Sequence, residues 1–119
     1  MSNTQPTNIS FNERVYEIVA TIPQGKVMTY KEVAHLLNCR AYRAVGNALN
    51  KNPYSTSKVP CHRVIKTNNE VGGYGWDVER KIELLEAEGV EFELFDDTTP
   101  IEKRRVKREH IINKNKDEN

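Results

Sequence analysis

The sequence lacks any apolar run near the roughly 20 residues that a membrane-spanning helix requires. Its first seven residues are polar, and no apolar core typical of a targeting segment follows them. It also has only two cysteines, too few for the disulfide framework of a small secreted domain. These absences exclude a membrane-spanning protein and favour an intracellular one, cytoplasmic, or nuclear in a eukaryote.

The length of 119 residues suits one compact domain and is too short for two ordinary ones. We expect that domain over residues 9–95, after a flexible stretch at 1–8 and before a charged, disordered tail at 96–119. Within the tail, either a solvated helix or a phosphate contact fits residues 103–108.

Positive charge is concentrated in one stretch, although the formal net charge is only +1. Residues 34–65 contain no acidic residue and carry the following basic ones: Arg40, Arg43, Lys51, Lys58 and Arg63. Such a cluster is most often a solvated surface, so the motifs inside it must decide whether it binds nucleic acid.

Helix signals organise the first half of the chain. Residues 10–13 fit a capping box, and apolar residues then recur at helical spacing as far as the break at 23–25. A second box at 29–32 opens a short helix, and another helix follows over residues 41–49 after a turn near 38–39. Two short helices across a tight turn predict a helix-turn-helix.

The second half mixes short strands and one helix. We predict a strand at 64–65, a glycine-rich turn or pocket wall at 68–75, a helix capped by Asp77 and ended by Gly89, and a strand over 90–94. The fold class is therefore α/β and mostly helical.

Cys61 is the candidate nucleophile. A thiol reacts as the thiolate, which needs a base or positive charge nearby, and Cys61 is followed directly by His62 and Arg63. Taken alone, such a pair is more often a small buried residue beside a surface histidine. Cys39, in the turn between the two short helices, is better interpreted as a semi-buried filler.

The string from Val59 to Ile65, VPCHRVI, closely resembles the active-site signature of the O6-alkylguanine-DNA alkyltransferases. The resemblance runs from about residue 11 to residue 92. It includes, in family order, residues 22–30, 43–46, 52–53, 72–76 and 79–81. It implies a winged helix-turn-helix domain that repairs DNA by moving the alkyl group of O6-alkylguanine irreversibly onto its own cysteine, and so acts once.

The resemblance also implies catalytic roles. Cys61 would be the alkyl acceptor, His62 the base that removes its proton through a water, and Glu88 the carboxylate that orients His62. Tyr30 resembles the phenol that protonates the leaving guanine, and Lys81 resembles the ammonium group that stabilises charge at the transfer site.

Other residues are matched to DNA and to the guanine pocket. The target nucleotide must leave the duplex, and Arg43 matches the arginine that fills the vacated stack, while Ala44 and Gly46 permit close approach to the minor groove. Arg63 is predicted to contact DNA as well, and Tyr42 stands where we expect a small residue. Asn52 resembles the asparagine that braces the active-site turn. The expected pocket residues are Pro60, Val64, Tyr74, Gly75 and Trp76, the last limiting the alkyl group admitted.

We expect no cofactor and no metal, since His35 and His110 have no partners at ligand spacing. The expected partner is double-stranded DNA containing O6-alkylguanine, bound by a monomer.

Two alternatives remain. Family members usually carry an additional amino-terminal domain, which we expect this short chain to lack. Short single-domain relatives include the alkyltransferase-like proteins, which bind alkylguanine without repairing it and pass it to excision-repair partners. Those proteins usually replace the cysteine with tryptophan or alanine, so the presence of Cys61 ranks transfer first. A sequence-specific regulator would need base-edge readers on the second helix, where Ala44, Val45 and Gly46 read poorly.

Overall fold

The computed structural model describes residues 10–72 and 77–112. In chain order its helices and strands are α1 (Phe11–Val19), β1 (Val27–Thr29), α2 (Tyr30–Leu36), α3 (Tyr42–Asn50), β2 (Val64–Ile65), α4 (Val78–Ala87) and β3 (Ile111–Ile112). Short 3-10 turns lie at Cys61–Arg63, Ile101–Lys103 and Arg108–His110. The small mixed α/β fold is as predicted.

Side-chain caps start three of the helices. The Ser10 hydroxyl accepts a hydrogen bond from the Glu13 N–H at 3.1 Å, and the Thr29 hydroxyl accepts one from the Glu32 N–H at 3.1 Å. Asp77 caps α4 by accepting from the N–H of Glu79 at 3.0 Å. Each cap satisfies a backbone donor that the first helical turn leaves open, so the predicted helix starts are confirmed.

Helices α2 and α3 form the predicted helix-turn-helix. Asn38 allows the tight turn between them by adopting a left-handed conformation, with φ of 60°. The Tyr16 hydroxyl on α1 donates a hydrogen bond to the Ala48 carbonyl of α3 at 2.7 Å, and Val45 is fully buried between these helices. Helix α1 therefore packs against the inner face of α3, and the opposite face of α3 points outward.

The sheet joins the two halves of the domain. Its strands are parallel in the order β2-β1-β3, with Met28 opposite Val64 and Thr29 opposite Ile65. Because side chains alternate across a strand, Met28 and Val64 pack with the helical core, whereas Val27 and Ile65 pack into a second core with α4.

The carboxyl-terminal segment differs from the predicted disordered tail at 96–119. Strand β3 pairs with the central strand β1, and Val106 is fully buried in the second core. Residues 101–112 therefore belong to the fold. The charged composition of the segment suggested disorder, but its few apolar side chains are enough to pack it against the second core. The predicted strand over 90–94 is reduced to one antiparallel bridge, between Phe92 and Val106.

In the two described ranges, no helix combines the length and apolarity needed to cross a membrane.

Candidate active site

Cys61 begins a tight turn between α3 and β2. Its N–H donates to the Val59 carbonyl at 2.8 Å, and its residue surface is only 4% exposed. Asn52 reaches the same carbonyl from the end of α3, donating from Nδ2 at 3.4 Å, while its Oδ1 accepts from the Tyr54 N–H at 2.9 Å. Asn52 thus ties the residue pair before the cysteine to the loop that follows α3.

Glu88, which caps the end of α4, contacts both residues that follow the cysteine. Its Oε2 lies 3.0 Å from Nε2 of His62. Arg63 donates from Nε to Oε1 at 2.9 Å and from Nη2 to Oε2 at 2.6 Å, and its Nη1 donates to the Ile22 carbonyl at 2.7 Å. The guanidinium fork thus fixes the carboxylate in two directions, and the carboxylate in turn fixes the imidazole.

These contacts set the protonation of the pair. Burial lowers the pKa of His62 below its usual value, although the hydrogen bond to Glu88 opposes this effect. Burial alone would raise the pKa of Glu88, but the hydrogen bonds from Arg63 and His62 outweigh it and hold that pKa below its usual range. Near neutral pH the site therefore contains a carboxylate beside a neutral imidazole, which is the form of histidine able to accept a proton.

Lys81 is a fully buried cation beneath the cysteine turn. It extends from α4 and donates from Nζ to the Val64 carbonyl at 2.8 Å. Burial lowers the pKa of Lys81 to about 7, and the neighbouring Cys61 thiolate acts in the opposite direction. The two groups are thus close enough to interact electrostatically.

A groove of about 590 Å³ lies between the outward face of α3 and the turn that follows β2. The residues that line it are Tyr30, Tyr42, Arg43, Gly46, Asn47, Asn50, Lys66, Thr67 and Asn68. Arg43 and Lys66 are exposed cations, and none of these lining residues is acidic. Its charge and polarity suit an anionic polymer such as nucleic acid.

The first turn of α3 adds to this electrostatic character. Ala41, its N-cap, makes no side-chain capping hydrogen bond, and the first turn carries no acidic residue. Ala44 is half-buried on this helix and lies outside the lining set. A Cβ atom added at Gly46 would lie 3.9 Å from Cε1 of Tyr30, so packing against Tyr30 does not exclude alanine at this position.

Most of the predicted site residues fall into four groups. Cys61, His62, Glu88 and Lys81 converge around the turn, and Tyr30, Arg43 and Gly46 meet at the groove. Pro60 and Val64 are buried on either side of the turn. Tyr74, Gly75 and Trp76 lie outside the described residues.

Arg63 requires a correction. It was predicted to contact DNA, but its guanidinium is bound to Glu88 and to the Ile22 carbonyl, and its side chain is only 15% exposed. We therefore assign it to positioning Glu88. Sequence reasoning also missed Lys66 and Tyr42 as groove residues. Ile65 pairs with Thr29, and this pairing places the next residues of the two strands, Lys66 and Tyr30, at the same groove. Strands of two or three residues are too short for a sequence pattern to reveal their pairing.

A possible cation-binding cluster lies elsewhere on the surface. One ligand atom each from Glu91, Glu109 and His110 falls within 4.8 Å of the others. Lys107 already occupies Glu91 with a salt bridge of 2.9 Å, and both glutamates are exposed. The cluster therefore carries no assignment.

Comparison with known sequences shows a clear family relationship. The family model described as "6-O-methylguanine DNA methyltransferase, DNA binding domain" matches residues 10–90. A methylated-DNA–protein-cysteine methyltransferase of Saccharolobus islandicus is 48% identical over 89 residues, which cover 72% of this chain and 57% of that protein. One from Methanothermobacter thermautotrophicus is 42% identical over 83 residues, covering 70% and 46%. This chain spans about half the length of these relatives.

Solved structures of similar fold include proteins bound to DNA. S. pombe Atl1, in complex with damaged DNA containing O6-carboxymethylguanine, matches with a TM-score of 0.70 and 31% identity, over 87% of this chain and 94% of that chain. The O6-methylguanine-DNA methyltransferase of Pyrococcus kodakaraensis matches with a TM-score of 0.60 and 43% identity, over 67% and 46%. The fold is that of their DNA-binding domains, as the winged helix-turn-helix prediction required.

The family model covers well over half of the chain, and the cysteine turn lies within the matched residues. This chain therefore belongs to the 6-O-methylguanine DNA methyltransferase family and contains its DNA-binding domain.

Proposed function

We propose that this chain repairs DNA by transferring the alkyl group from O6 of guanine to the sulfur of its own Cys61. The observation that carries the proposal is the contact of 3.0 Å between Nε2 of His62 and Oε2 of Glu88, directly beside the cysteine. Curated relatives named methylated-DNA–protein-cysteine methyltransferases support it. An oriented base next to a thiol is the arrangement that nucleophilic catalysis by cysteine requires.

The transfer is a substitution at the alkyl carbon. His62 takes the thiol proton of Cys61 through a water, and the sulfur attacks the alkyl carbon. The S–C bond forms as the bond from carbon to O6 breaks, and the electron pair of that bond stays on the guanine. The Tyr30 phenol then supplies a proton to the leaving base. Because a thiolate is a poor leaving group from a thioether, the new S–C bond persists and each molecule acts once.

The electrostatics of the site fit these steps. We infer the tautomer of neutral His62 in which Nε2 donates to Glu88, so that Nδ1 is the atom that accepts the thiol proton. A Lys81 ammonium offsets the negative charge that develops on the sulfur.

The groove provides the contact with DNA. We infer that α3 lies along the minor groove of a duplex that contains O6-alkylguanine, and that Arg43 fills the space left by the extruded nucleotide. Lys66, on the opposite wall, is placed to contact a backbone phosphate.

A second candidate function is non-catalytic lesion binding, as in alkyltransferase-like proteins that direct the lesion to excision repair. The match over 94% of the S. pombe Atl1 chain, solved with DNA containing O6-carboxymethylguanine, favours it. Cys61 and the network around His62 favour transfer instead, because binding alone requires neither a thiol nor an oriented base.

The experiment that distinguishes the two is intact mass spectrometry after incubation with excess duplex containing O6-methylguanine. Transfer predicts a gain of one methyl group by the wild type and no gain by Cys61→Ala. Cys39 provides the matched control, since Cys39→Ala should still gain the methyl group. An unchanged wild-type mass together with lesion-selective binding would support the second function.

A further inference from the structure

Helix α3 presents one continuous face to the groove. The residues on that face are Tyr42, Arg43, Gly46, Asn47 and Asn50. Positions three or four apart lie on the same side of a helix, so Tyr42 stands one turn before Gly46 along this face. Both residues line the groove, and Gly46 adds no side chain to it.

The ring of Tyr42 is exposed at this edge. It is 37% exposed, and among the large apolar residues that the structure describes as exposed, namely Leu36, Tyr42, Leu94 and Phe95, it is the one that lines the groove. Isolated exposed apolar residues are common, so exposure alone means little. The position is informative because Tyr42 directly precedes Arg43, which we infer enters the duplex.

The surroundings of the ring match a recognised mode of nucleic-acid binding. Such sites combine a positively charged groove with aromatic side chains against which bases stack. Here Arg43 and Lys66 supply the charge, the asparagines and Thr67 supply neutral polar groups, and Tyr42 supplies an exposed ring. The phenol of Tyr30 is committed to the transfer step, which leaves Tyr42 as the aromatic residue at the groove edge.

We propose that Tyr42 packs its ring against a nucleotide flanking the extruded guanine and thereby helps to hold the opened duplex. This inference rests on the proposed function. Extrusion breaks stacking on both sides of the target at a cost of a few kcal/mol. Arg43 fills the space that the extruded guanine leaves in the duplex. The ring of Tyr42 packs on a nucleotide next to that space and restores part of the stacking that this nucleotide has lost.

The test compares Tyr42→Ala, Tyr42→Leu and Tyr42→Phe with the wild type. Affinity is measured for a duplex containing O6-methylguanine with 2-aminopurine beside the lesion, whose emission falls when a ring stacks on it. We expect Tyr42→Ala and Tyr42→Leu to weaken binding about tenfold and to give brighter bound 2-aminopurine, whereas Tyr42→Phe keeps both properties. Leu94→Ala, a fully exposed residue outside the groove, is the matched control.

The outcomes separate this inference from the proposed function. If the wild type neither gains a methyl group nor prefers lesion DNA, the function itself fails. If the wild type gains a methyl group or prefers lesion DNA, but Tyr42→Ala binds that DNA as tightly as the wild type, the proposed role of Tyr42 is wrong. If Tyr42→Leu matches Tyr42→Phe in affinity and emission, the residue makes an ordinary apolar contact and stacking is excluded. Circular dichroism of each variant identifies any loss of folding.

Discussion

Arg63 donates a hydrogen bond of 2.6 Å to Oε2 of Glu88, the same oxygen that lies 3.0 Å from His62. The arginine therefore acts on the imidazole through the carboxylate. Arg63, two positions after Cys61, thus fixes the orientation of the His62 ring that lies between them in the sequence.

Replacing Glu88 with glutamine should slow alkyl transfer. The amide carries no charge to hold the His62 tautomer, and we expect the rate to fall roughly 10²-fold near neutral pH. The deficit should narrow at higher pH, where removal of a proton from the nucleophile depends less on an oriented base. Single-turnover rates across pH test this, with Glu86→Gln on the exposed side of the same helix as control. A deficit that does not change with pH would exclude an orienting role.

The same variant should change stability in acid. The pKa of Glu88 is lower in the folded protein than its reference value of 4.5, so its stabilising contribution is present above about pH 4.5 and is lost as pH falls through the folded value. The gap in unfolding free energy between wild type and Glu88→Gln should therefore shrink below that pH. Urea unfolding at several acidic pH values measures the gap, and a constant gap would contradict the prediction.

Lys81→Met should alter the alkaline dependence of stability. With a folded pKa of about 7 against 10.5 when unfolded, the unfolded chain binds more protons between these values, so wild-type stability should rise with pH there. The slope is at most about 1.4 kcal/mol per pH unit. Methionine removes the titration, although the Val64 carbonyl loses its donor at a cost that does not vary with pH. Parallel stability curves for the two proteins would show that Lys81 keeps an ordinary pKa.

Tyr30→Phe should reduce the transfer rate at saturating DNA by about tenfold or more, because the leaving guanine loses its proton donor. Rapid-quench measurement of protein alkylation gives this rate. Tyr54→Phe is a suitable control, since its hydroxyl contacts only the exposed Glu13 among the hydrogen bonds described. An undiminished rate for Tyr30→Phe would assign the proton to another source.

Val106→Ala tests the role of the carboxyl-terminal segment. Val106 is fully buried in the core beside α4, and its truncation should destabilise the protein by about 2 kcal/mol. Lys103→Ala, exposed nearby, should change stability by no more than about 0.5 kcal/mol. Equal denaturation midpoints for the two variants would mean that residues 101–112 add little to the fold.

The sequence predicted best what is encoded locally. Caps at Ser10, Thr29 and Asp77 depend on residues two or three positions away, and all three form. The helix-turn-helix followed from spacing alone. Strand β3 was missed because two isoleucines in a charged segment give no periodic pattern, and their partner β1 lies far away in the chain.

The residues of the candidate site could be predicted from the sequence, but the contacts between them could not. The family signature identified Cys61, His62 and Glu88 as a set. It did not reveal that Arg63 turns inward, since a 3-10 turn sends consecutive side chains in directions that sequence spacing does not specify. Nor did it reveal that Lys66 lies beside Tyr30, which depends on strand register.

The placement of the sheet between two cores has a consequence for how activity is lost. Tyr30 and Arg43 belong to the helical side, whereas Lys81 and Glu88 belong to α4 on the other. The groups proposed to act in transfer are therefore brought together across the boundary between the two cores. Local opening of either core would separate Tyr30 and Arg43 from Lys81 and Glu88 before the whole molecule unfolds. On heating, alkyl transfer should therefore be lost at the temperature at which the less stable of the two cores opens. This temperature should be lower than the one at which helix content is lost.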